Sequence, residues 1–308
     1  MRGYGELGWY GFGLRAGLRN LRVNRSSLGW KKTIGKILQP INMYTRFAEY
    51  QLFHAAIRPE LSARAQSWPE VLDVGSPKLF GFFLASRYGG RIHLTDLNPK
   101  DIEEYSTMWS ALCGGATGDA ILERQDARAL TYKDESYEIV YSMSAIEHVE
   151  GEGGDTLAVR ELWRVLRPTG LLIISVPFGD RYQEQMATGF SYSTAAVQSS
   201  KSYFFQRVYD KQALEARLLA ALAPRPAETR IHTAYRSNAM SIAKAYHRLR
   251  KYLGLEISGL FGFLNPILSA MLNRHCEGYA EDFLVSYGPA HSISDVYADA
   301  VLVWRKPG

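Results

Sequence analysis

Two apolar runs that each end in an acid constrain this 308-residue chain more than any other feature. The first run is Val71-Leu-Asp-Val-Gly-Ser76, and the second, about twenty residues later, is Ile92-His-Leu-Thr-Asp96. Apolar runs of this kind are typical of parallel strands that are covered on both faces. Because parallel sheets bind their ligands at the carboxyl ends of the strands, the pair predicts a nucleoside-cofactor site at that edge.

Strand-like and helix-like segments alternate through the middle of the chain. The predicted strands are 70–75, 91–96, 121–125, 138–143, 171–176, 230–234 and 298–304, and the predicted helices are 41–55, 78–88, 98–111, 155–166 and 210–222. We expect the first helix to stop before Pro59 and the polar residues 180–202 to form a loop or lid. The alternation predicts an α/β fold with a doubly wound, mostly parallel sheet.

The ends of the chain differ from this middle part. We interpret residues 1–65 as an N-terminal basic and helical arm, and residues 66–308 as the main domain with a helical cap insertion at about 236–292. Within the insertion, residues 259–272 are apolar but too short and too broken to span a bilayer. This stretch is interpreted as a buried helical hairpin, the lining of an apolar substrate pocket, or a membrane-surface contact.

Positive charge is concentrated in the arm. Residues 1–36 hold eight Lys and Arg residues and one Glu, so they carry +7 in a chain of net charge +5, and the remainder carries −2. A basic arm favours an anionic partner such as membrane lipid, nucleic acid or an acidic protein, although a solvated tail explains it equally well. Peripheral membrane contact through residues 1–36 or 259–272 therefore stays open.

The cysteines and histidines predict neither disulfides nor a metal site. Cys113 and Cys276 have no pairing motif, which fits a reducing compartment. The histidines after residue 230 are scattered without ligand spacing. With no secretory signal or membrane span in the sequence, we expect a cytoplasmic protein, with membrane association left open.

Residues at the ends of the first four predicted strands are candidates for holding a nucleoside. Gly75 lets the backbone approach a ligand closely, and Asp96 can accept both hydroxyl groups of a ribose. Asp126 can accept from the exocyclic amine of adenine, while the backbone amide of Ala127 can meet the ring. The same acids could instead cap turns and helices. The candidate cofactor-binding residues are Asp73, Gly75, Ser76, Asp96, Leu97, Asp126, Ala127 and Ser142.

These positions resemble the class I S-adenosylmethionine-dependent methyltransferases, of the small-molecule, methyltransferase type 11-like kind. Further matches follow in order along the chain, and the resemblance covers about residues 68–180: Glu138-Ile-Val-Tyr-Ser142, Ala145-Ile-Glu-His148, and the segment from Glu161 to Pro177. The resemblance implies a Rossmann-like seven-stranded sheet and S-adenosylmethionine as the cofactor. In this family, residues like Asp73 and Gly75 line the methionine end, an acid like Asp96 holds the ribose, and an acid like Asp126 holds adenine.

The turn after the first strand departs from the family pattern, which is usually glycine-rich. Here Ser76, Pro77 and Lys78 follow the single Gly75, and Pro77 has no amide proton to donate. A dinucleotide enzyme would need a G-x-G-x-x-G turn to seat a pyrophosphate at a helix N-terminus. Because that turn is absent, the sequence favours the sulfonium cofactor over a dinucleotide.

Two residues after the fourth strand are candidates for catalysis, namely His148 and its neighbour Glu147. A histidine near the transferred methyl group could take a proton from the acceptor, although a supporting role is an alternative. The acceptor is predicted to be a small, bulky or amphipathic molecule. The alternatives are a nucleic-acid or protein methyltransferase that uses the basic arm, and a non-catalytic subunit. Ser142-Met-Ser-Ala lacks the signature of amino-group base methylation, which counts against a nucleic-acid substrate.

Overall fold

The computed structural model describes residues 44–62, 68–112, 118–179, 181–187, 202–233 and 298–308. The basic arm 1–36, the insertion 236–292 and its apolar stretch 259–272 lie outside these residues, so the predictions made for them are neither confirmed nor contradicted. Within the described part, no helix is long and apolar enough to cross a membrane.

Strands and helices alternate as the sequence predicts. The strands are β1 (Val71–Val74), β2 (Gly90–Asp96), β3 (Gly118–Arg124), β4 (Tyr137–Met143), β5 (Leu166–Phe178), β6 (Gln183–Ala187), β7 (Tyr203–Val208), β8 (Glu228–Thr233) and β9 (Ala298–Arg305). The helices are α1 (Tyr44–Ser62), α2 (Leu79–Tyr88), α3 (Pro99–Leu112) and α4 (Gly154–Val165). A short helical turn, Ile146–His148, follows β4, and residues 211–221 form a further helical segment.

Seven of the strands form one sheet in the order β3-β2-β1-β4-β5-β9-β8. Strands β1 to β5 run parallel to one another, and β9 runs antiparallel between β5 and β8. The prediction of a doubly wound, mostly parallel sheet is therefore confirmed. The order reverses beside β1, so β1 and β4 flank the switch point, where sheets of this kind place their ligands.

Alternate residues of a strand point to opposite sides of the sheet, so apolar side chains lie on both faces. Helices cover both of these faces. On one face, Phe53 and Ile57 of α1 and Phe80 of α2 are fully buried against the strands. On the other face, Leu162 of α4 and Leu218 of the 211–221 segment are fully buried. Helix α1 thus forms part of the layer that covers the sheet, although residues 1–65 were assigned to the arm.

The end of one helix and part of the predicted lid differ from the prediction. Helix α1 continues through Pro59 to Ser62, so the expectation that it ends before the proline is wrong. Burial of Leu61 in the core beyond Pro59 favours continuing the helix despite the lost amide donor. Part of the predicted lid is a strand, since β6 pairs antiparallel with β7 to form a separate two-stranded sheet. This strand was missed because its short, polar sequence carries no apolar pattern.

Candidate active site

The turn after β1 is held tightly against the turn after β4. Gly75 adopts φ 74°, and a Cβ atom at this position would lie 2.8 Å from the Cβ of Ala145. Its amide also donates to the carbonyl of Thr95 at 3.0 Å. The glycine is therefore required by its backbone conformation and by the contact with Ala145, before any ligand is considered.

Ser76 and Ser142 join the same two strand ends from inside the protein. The Ser142 hydroxyl donates to the carbonyl of Val74 at 2.7 Å, and the amide of Met143 donates to the Ser76 hydroxyl at 2.8 Å. Both serines are buried. They shape the edge of the sheet, and their predicted contact with a cofactor stays a prediction.

Asp73 lies beneath the turn and forms an ion pair with Lys78. Both side chains are fully buried, and the Lys78 ammonium lies 3.0 Å from Asp73 Oδ1 and 2.6 Å from the carbonyl oxygen of Ser76. Asp73 Oδ1 also accepts from the amide of Ser76 at 3.1 Å. The Asp73 carboxylate is thus buried and paired with Lys78, and its predicted contact with a cofactor stays a prediction.

Burial raises the pKa of Asp73 above its ordinary value, and the neighbouring Lys78 ammonium opposes that rise. The neighbouring hydroxyl of Tyr141 and the amide of Ser76 also oppose the rise by interacting with the carboxylate. Burial, followed by the negative charge of Asp73, raises the pKa of Tyr141 well above its ordinary value, so the phenol stays protonated. The stability of this cluster therefore depends on Lys78.

Asp96 ends β2 at the open edge of the sheet. Its side chain is 24% exposed, its Oδ1 accepts from the amide of Asn98 at 3.0 Å, and its Oδ2 lies 3.8 Å from the Lys78 ammonium. The neighbouring Leu97 is 39% exposed. A partly exposed carboxylate beside an exposed apolar side chain suits a sugar that carries a flat base.

Asp126 follows β3 and is held by Arg128. The Arg128 guanidinium lies 2.6 Å from Asp126 Oδ2 and 3.0 Å from Oδ1, and the Arg128 amide also donates to Oδ1. These hydrogen bonds lower the pKa of Asp126, whose side chain is 33% exposed. Ala127 packs against the core on the α4 face. An adenine amine would have to share this carboxylate with Arg128, a partner that the sequence did not reveal.

His148 is oriented by the hairpin of β6 and β7. Its Nδ1 lies 2.6 Å from the carbonyl oxygen of Phe205, and its ring packs edge-on against the ring of Phe205. A carbonyl oxygen can only accept, so Nδ1 carries a proton and Nε2 is the basic nitrogen of the neutral ring. The buried Glu147 places Oε1 3.7 Å from Nε2, close enough to stabilise a protonated ring.

A buried charge network fixes this hairpin to the loop that contains His148. The guanidinium of Arg207 donates to the carbonyls of Val149 at 2.6 Å and Gly151 at 2.8 Å. Asp155, at the start of α4, is bound by Arg217 at 2.7 Å and by the hydroxyl of Tyr209. Burial alone would raise the pKa of Asp155, but these partners and the charge of Arg207 hold it below its ordinary value.

Sequence reasoning missed Glu49, a fully buried acid of α1. Its Oε1 accepts from the hydroxyls of Ser144 and Ser175, each at 2.6 Å, at the carboxyl ends of β4 and β5. Helical spacing places Glu49 on the same face as Phe53 and Ile57, which are buried. An acid on an apolar helical face was the signal that could have revealed it.

The predicted residues therefore lie at one edge of the sheet, but they differ in their exposure to solvent. Asp96, Leu97 and Asp126 are partly exposed at the ends of β2 and β3, whereas the side chains of Asp73, Ser76 and Ser142 are buried. The 146–148 turn and the hairpin lie beside the end of β4. Within the described residues, no group of three or more His, Cys, Asp or Glu side chains is placed to hold a metal ion.

Residues 72–174 match the model of a methyltransferase domain family. No curated protein sequence matches the chain.

Solved structures of similar fold include two methyltransferases. A methyltransferase from Methanosarcina mazei is 14% identical, with 81% of this chain and 97% of that chain covered and a TM-score of 0.48. Phosphoethanolamine N-methyltransferase 2 of Haemonchus contortus, solved with S-adenosylhomocysteine, is 12% identical, with 94% and 61% covered and a TM-score of 0.49. The family match spans β1 to β5, so this part of the chain is a methyltransferase domain, and the seven-stranded, mostly parallel sheet is the Rossmann-like fold expected for it.

Proposed function

We propose that this enzyme transfers a methyl group from S-adenosylmethionine to a small, bulky or amphipathic acceptor, with His148 serving as the base. The nucleoside would lie along the edge formed by Asp96, Leu97 and Asp126. The acceptor would lie at the end of β4, beside Glu147 and His148.

The residues at the edge fit the cofactor. Asp96 Oδ1 carries one hydrogen bond and Oδ2 none closer than the 3.8 Å contact with Lys78, so the carboxylate has lone pairs left for ribose hydroxyl groups. Asp126 is tied to Arg128, but an ion pair at this degree of exposure contributes only ~0–1 kcal/mol and can exchange partners. The exposed side chain of Leu97 offers an apolar surface to a base.

The chain's own work is mainly alignment and proton removal. When bound, the cofactor supplies an activated methyl group on a sulfonium, so holding the acceptor in line contributes up to ~7–11 kcal/mol in favourable cases. A base for an acceptor hydroxyl or amine contributes a further ~10²–10⁴-fold. His148 is suited to this role because Phe205 fixes the proton on Nδ1, leaving Nε2 basic, and Glu147 stabilises the charge that the ring gains.

The orientation of His148 by the Phe205 carbonyl is the observation that carries this proposal. The size and polarity of the acceptor rest on the sequence of the 236–292 insertion and the aromatic residues of the hairpin. Contact with a membrane surface through residues 1–36 or 259–272 remains a further proposal from the sequence, as does a cytoplasmic location.

The proposal is tested first by binding and then by turnover. Calorimetry should detect S-adenosylhomocysteine at micromolar to millimolar concentration, and Asp96→Ala should weaken it by about ten- to a hundredfold, as expected for a lost charge-assisted hydrogen bond. No binding at millimolar concentration would instead support the alternative of a non-catalytic subunit. Unchanged affinity in Asp96→Ala would show that the ribose assignment is wrong.

For turnover, release of S-adenosylhomocysteine is measured against a panel of amphipathic hydroxyl and amine acceptors. His148→Gln should lower kcat by about 10²–10⁴-fold and remove the acidic limb of the pH–rate profile, with cofactor affinity retained. His93→Asn is the matched control, because His93 binds Glu123 on the β2–β3 face and should leave the profile intact. An acidic limb that persists in His148→Gln would exclude His148 as the base.

Activity only on nucleic acid or protein, falling steeply with salt, would favour the alternative function in which the basic arm binds the substrate.

A further inference from the structure

Lys78 lies in the turn after β1, which is usually glycine-rich in the family. Its ammonium connects three parts of the site. It binds Asp73 at the end of β1, the Ser76 carbonyl within the turn, and lies 3.8 Å from Asp96 Oδ2 at the end of β2. The first two contacts are hydrogen bonds, and the third is an ion pair without one. A single buried cation is thus shared by two acids from neighbouring strands.

We propose that Lys78 is a positioning residue for cofactor binding, which acts by holding the carboxylate of Asp96 in the orientation that receives the ribose. The inference rests on the proposed function, since it assigns a role to Lys78 within that same site. The inference goes beyond the proposed function because it explains how the site is shaped without the glycine-rich turn that the family usually has.

The geometry supports this role from both sides of the carboxylate. The amide of Asn98 holds Asp96 Oδ1 at 3.0 Å, and the Lys78 ammonium attracts Oδ2 from within the protein. With both oxygens constrained, the carboxylate keeps one orientation although it is partly exposed. A preorganised acceptor binds a ligand more tightly because less conformational freedom is lost on binding.

The charges support it as well. Asp73 and Asp96 lie near the carboxyl ends of adjacent parallel strands. Lys78 lies within ion-pair distance of both and cancels one of the two charges. Its ammonium also holds the Ser76 carbonyl, and the ring of Pro77 restricts the backbone between them. The turn is thereby fixed by a side chain and a ring where the family uses glycines.

The test is a double-mutant cycle between Lys78 and Asp96, measured by S-adenosylhomocysteine affinity. Lys78→Met alone would leave Asp73 as an unpaired buried charge, so the cycle uses the neutral pair Asp73→Asn with Lys78→Met, which preserves the shape of both side chains. This pair is compared with the wild type, with Asp96→Asn, and with all three substitutions together. Lys306→Met is the matched control, because Lys306 is also buried but donates to the carbonyls of Trp163 and Leu166 near α4.

We expect the neutral pair to bind S-adenosylhomocysteine about tenfold more weakly than the wild type. In the Asp96→Asn background the same pair should change affinity by less than about twofold, because its action passes through the Asp96 carboxylate. Lys306→Met should lower stability and leave affinity unchanged. An equal loss with and without the Asp96 carboxylate would overturn the inference, since it would show that Lys78 and Asp73 act on the ligand directly or on the fold.

A second readout needs no ligand. The same four proteins are unfolded in urea, and the pairwise coupling between Lys78 and Asp96 should appear in the free energy of unfolding of the unliganded protein. If the wild type binds no S-adenosylhomocysteine at millimolar concentration, the proposed function fails on that result alone. If the wild type binds and neither readout shows coupling, the inference about Lys78 fails while the proposed function stands.

Discussion

Replacing Lys78 by methionine should make the stability of the protein depend on pH in a defined direction. Lys78 and Asp73 are both fully buried and 3.0 Å apart. Removing one partner of such a pair leaves an uncompensated buried charge and costs about 3–5 kcal/mol of the free energy of unfolding. The full cost applies only where Asp73 is ionised, because a protonated carboxyl group is far less expensive to bury.

The direction of this pH dependence follows from the pKa of Asp73. Burial raises this pKa from an ordinary value of 3.8, and Lys78 is the first cause that lowers it again. A raised pKa means that the folded state binds the proton more tightly than the unfolded state. The stabilising effect of that proton is present at low pH and is lost as pH rises through the folded pKa. Lys78→Met removes the opposing cation, so the folded pKa rises further and the loss extends toward neutral pH.

Urea unfolding at pH 5 and pH 8 measures this effect. We expect Lys78→Met to lose about 3–5 kcal/mol relative to the wild type at pH 8, and less than that at pH 5. Adding Asp73→Asn should recover most of the loss at pH 8 and remove its pH dependence. Lys306→Met, which exposes no buried carboxylate, should lose similar stability at both values. Equal losses for Lys78→Met at both pH values would refute the reasoning, as would an Asp73→Asn/Lys78→Met pair as unstable as Lys78→Met alone.

Two further predictions concern the elements packed around the end of β4. Glu49→Ala should lower the free energy of unfolding by about 2–4 kcal/mol, because the buried Ser175 hydroxyl and the part-buried Ser144 hydroxyl lose their acceptor. Ser175→Ala should cost about half as much, and a loss below about 0.5 kcal/mol for Glu49→Ala in urea unfolding would contradict the assignment. Arg207→Met should release the hairpin from the carbonyls of Val149 and Gly151 and lower kcat with little change in S-adenosylhomocysteine affinity, as steady-state kinetics and calorimetry would show; an affinity loss equal to the loss in kcat would contradict this role.

The strands and their order of appearance could be predicted because each carries its own pattern. Every strand of the main sheet was anticipated, and the central strands β1, β4 and β5 were the clearest because burial on both faces requires apolar residues. Strand β6 was missed because a short polar hairpin is stabilised by its partner strand and by Arg207, and neither contact is local in sequence. The end of α1 was misplaced because Pro59 is a local signal to stop, whereas burial of Leu61 is a tertiary one.

The candidate site was predictable only in part. The acids Asp73, Asp96 and Asp126 were found because each follows an apolar strand, and their placement at one edge follows from parallel pairing. Their partners were not found, because a sequence does not show that Lys78 folds back under the turn. The buried Glu49 illustrates the same limit, since its serine partners are about 95 and 126 positions away along the chain.

The sequence by itself determined the sheet, its covering helices and the edge where the acids gather. These depend on periodicity and on short motifs, which are properties of neighbouring residues. Only the tertiary structure decided which acids are partly exposed at that edge and which are buried inside the protein. Burial and ion pairing depend on residues brought together by folding, and they turned Asp73 into a structural partner of Lys78 while leaving Asp96 open at the edge.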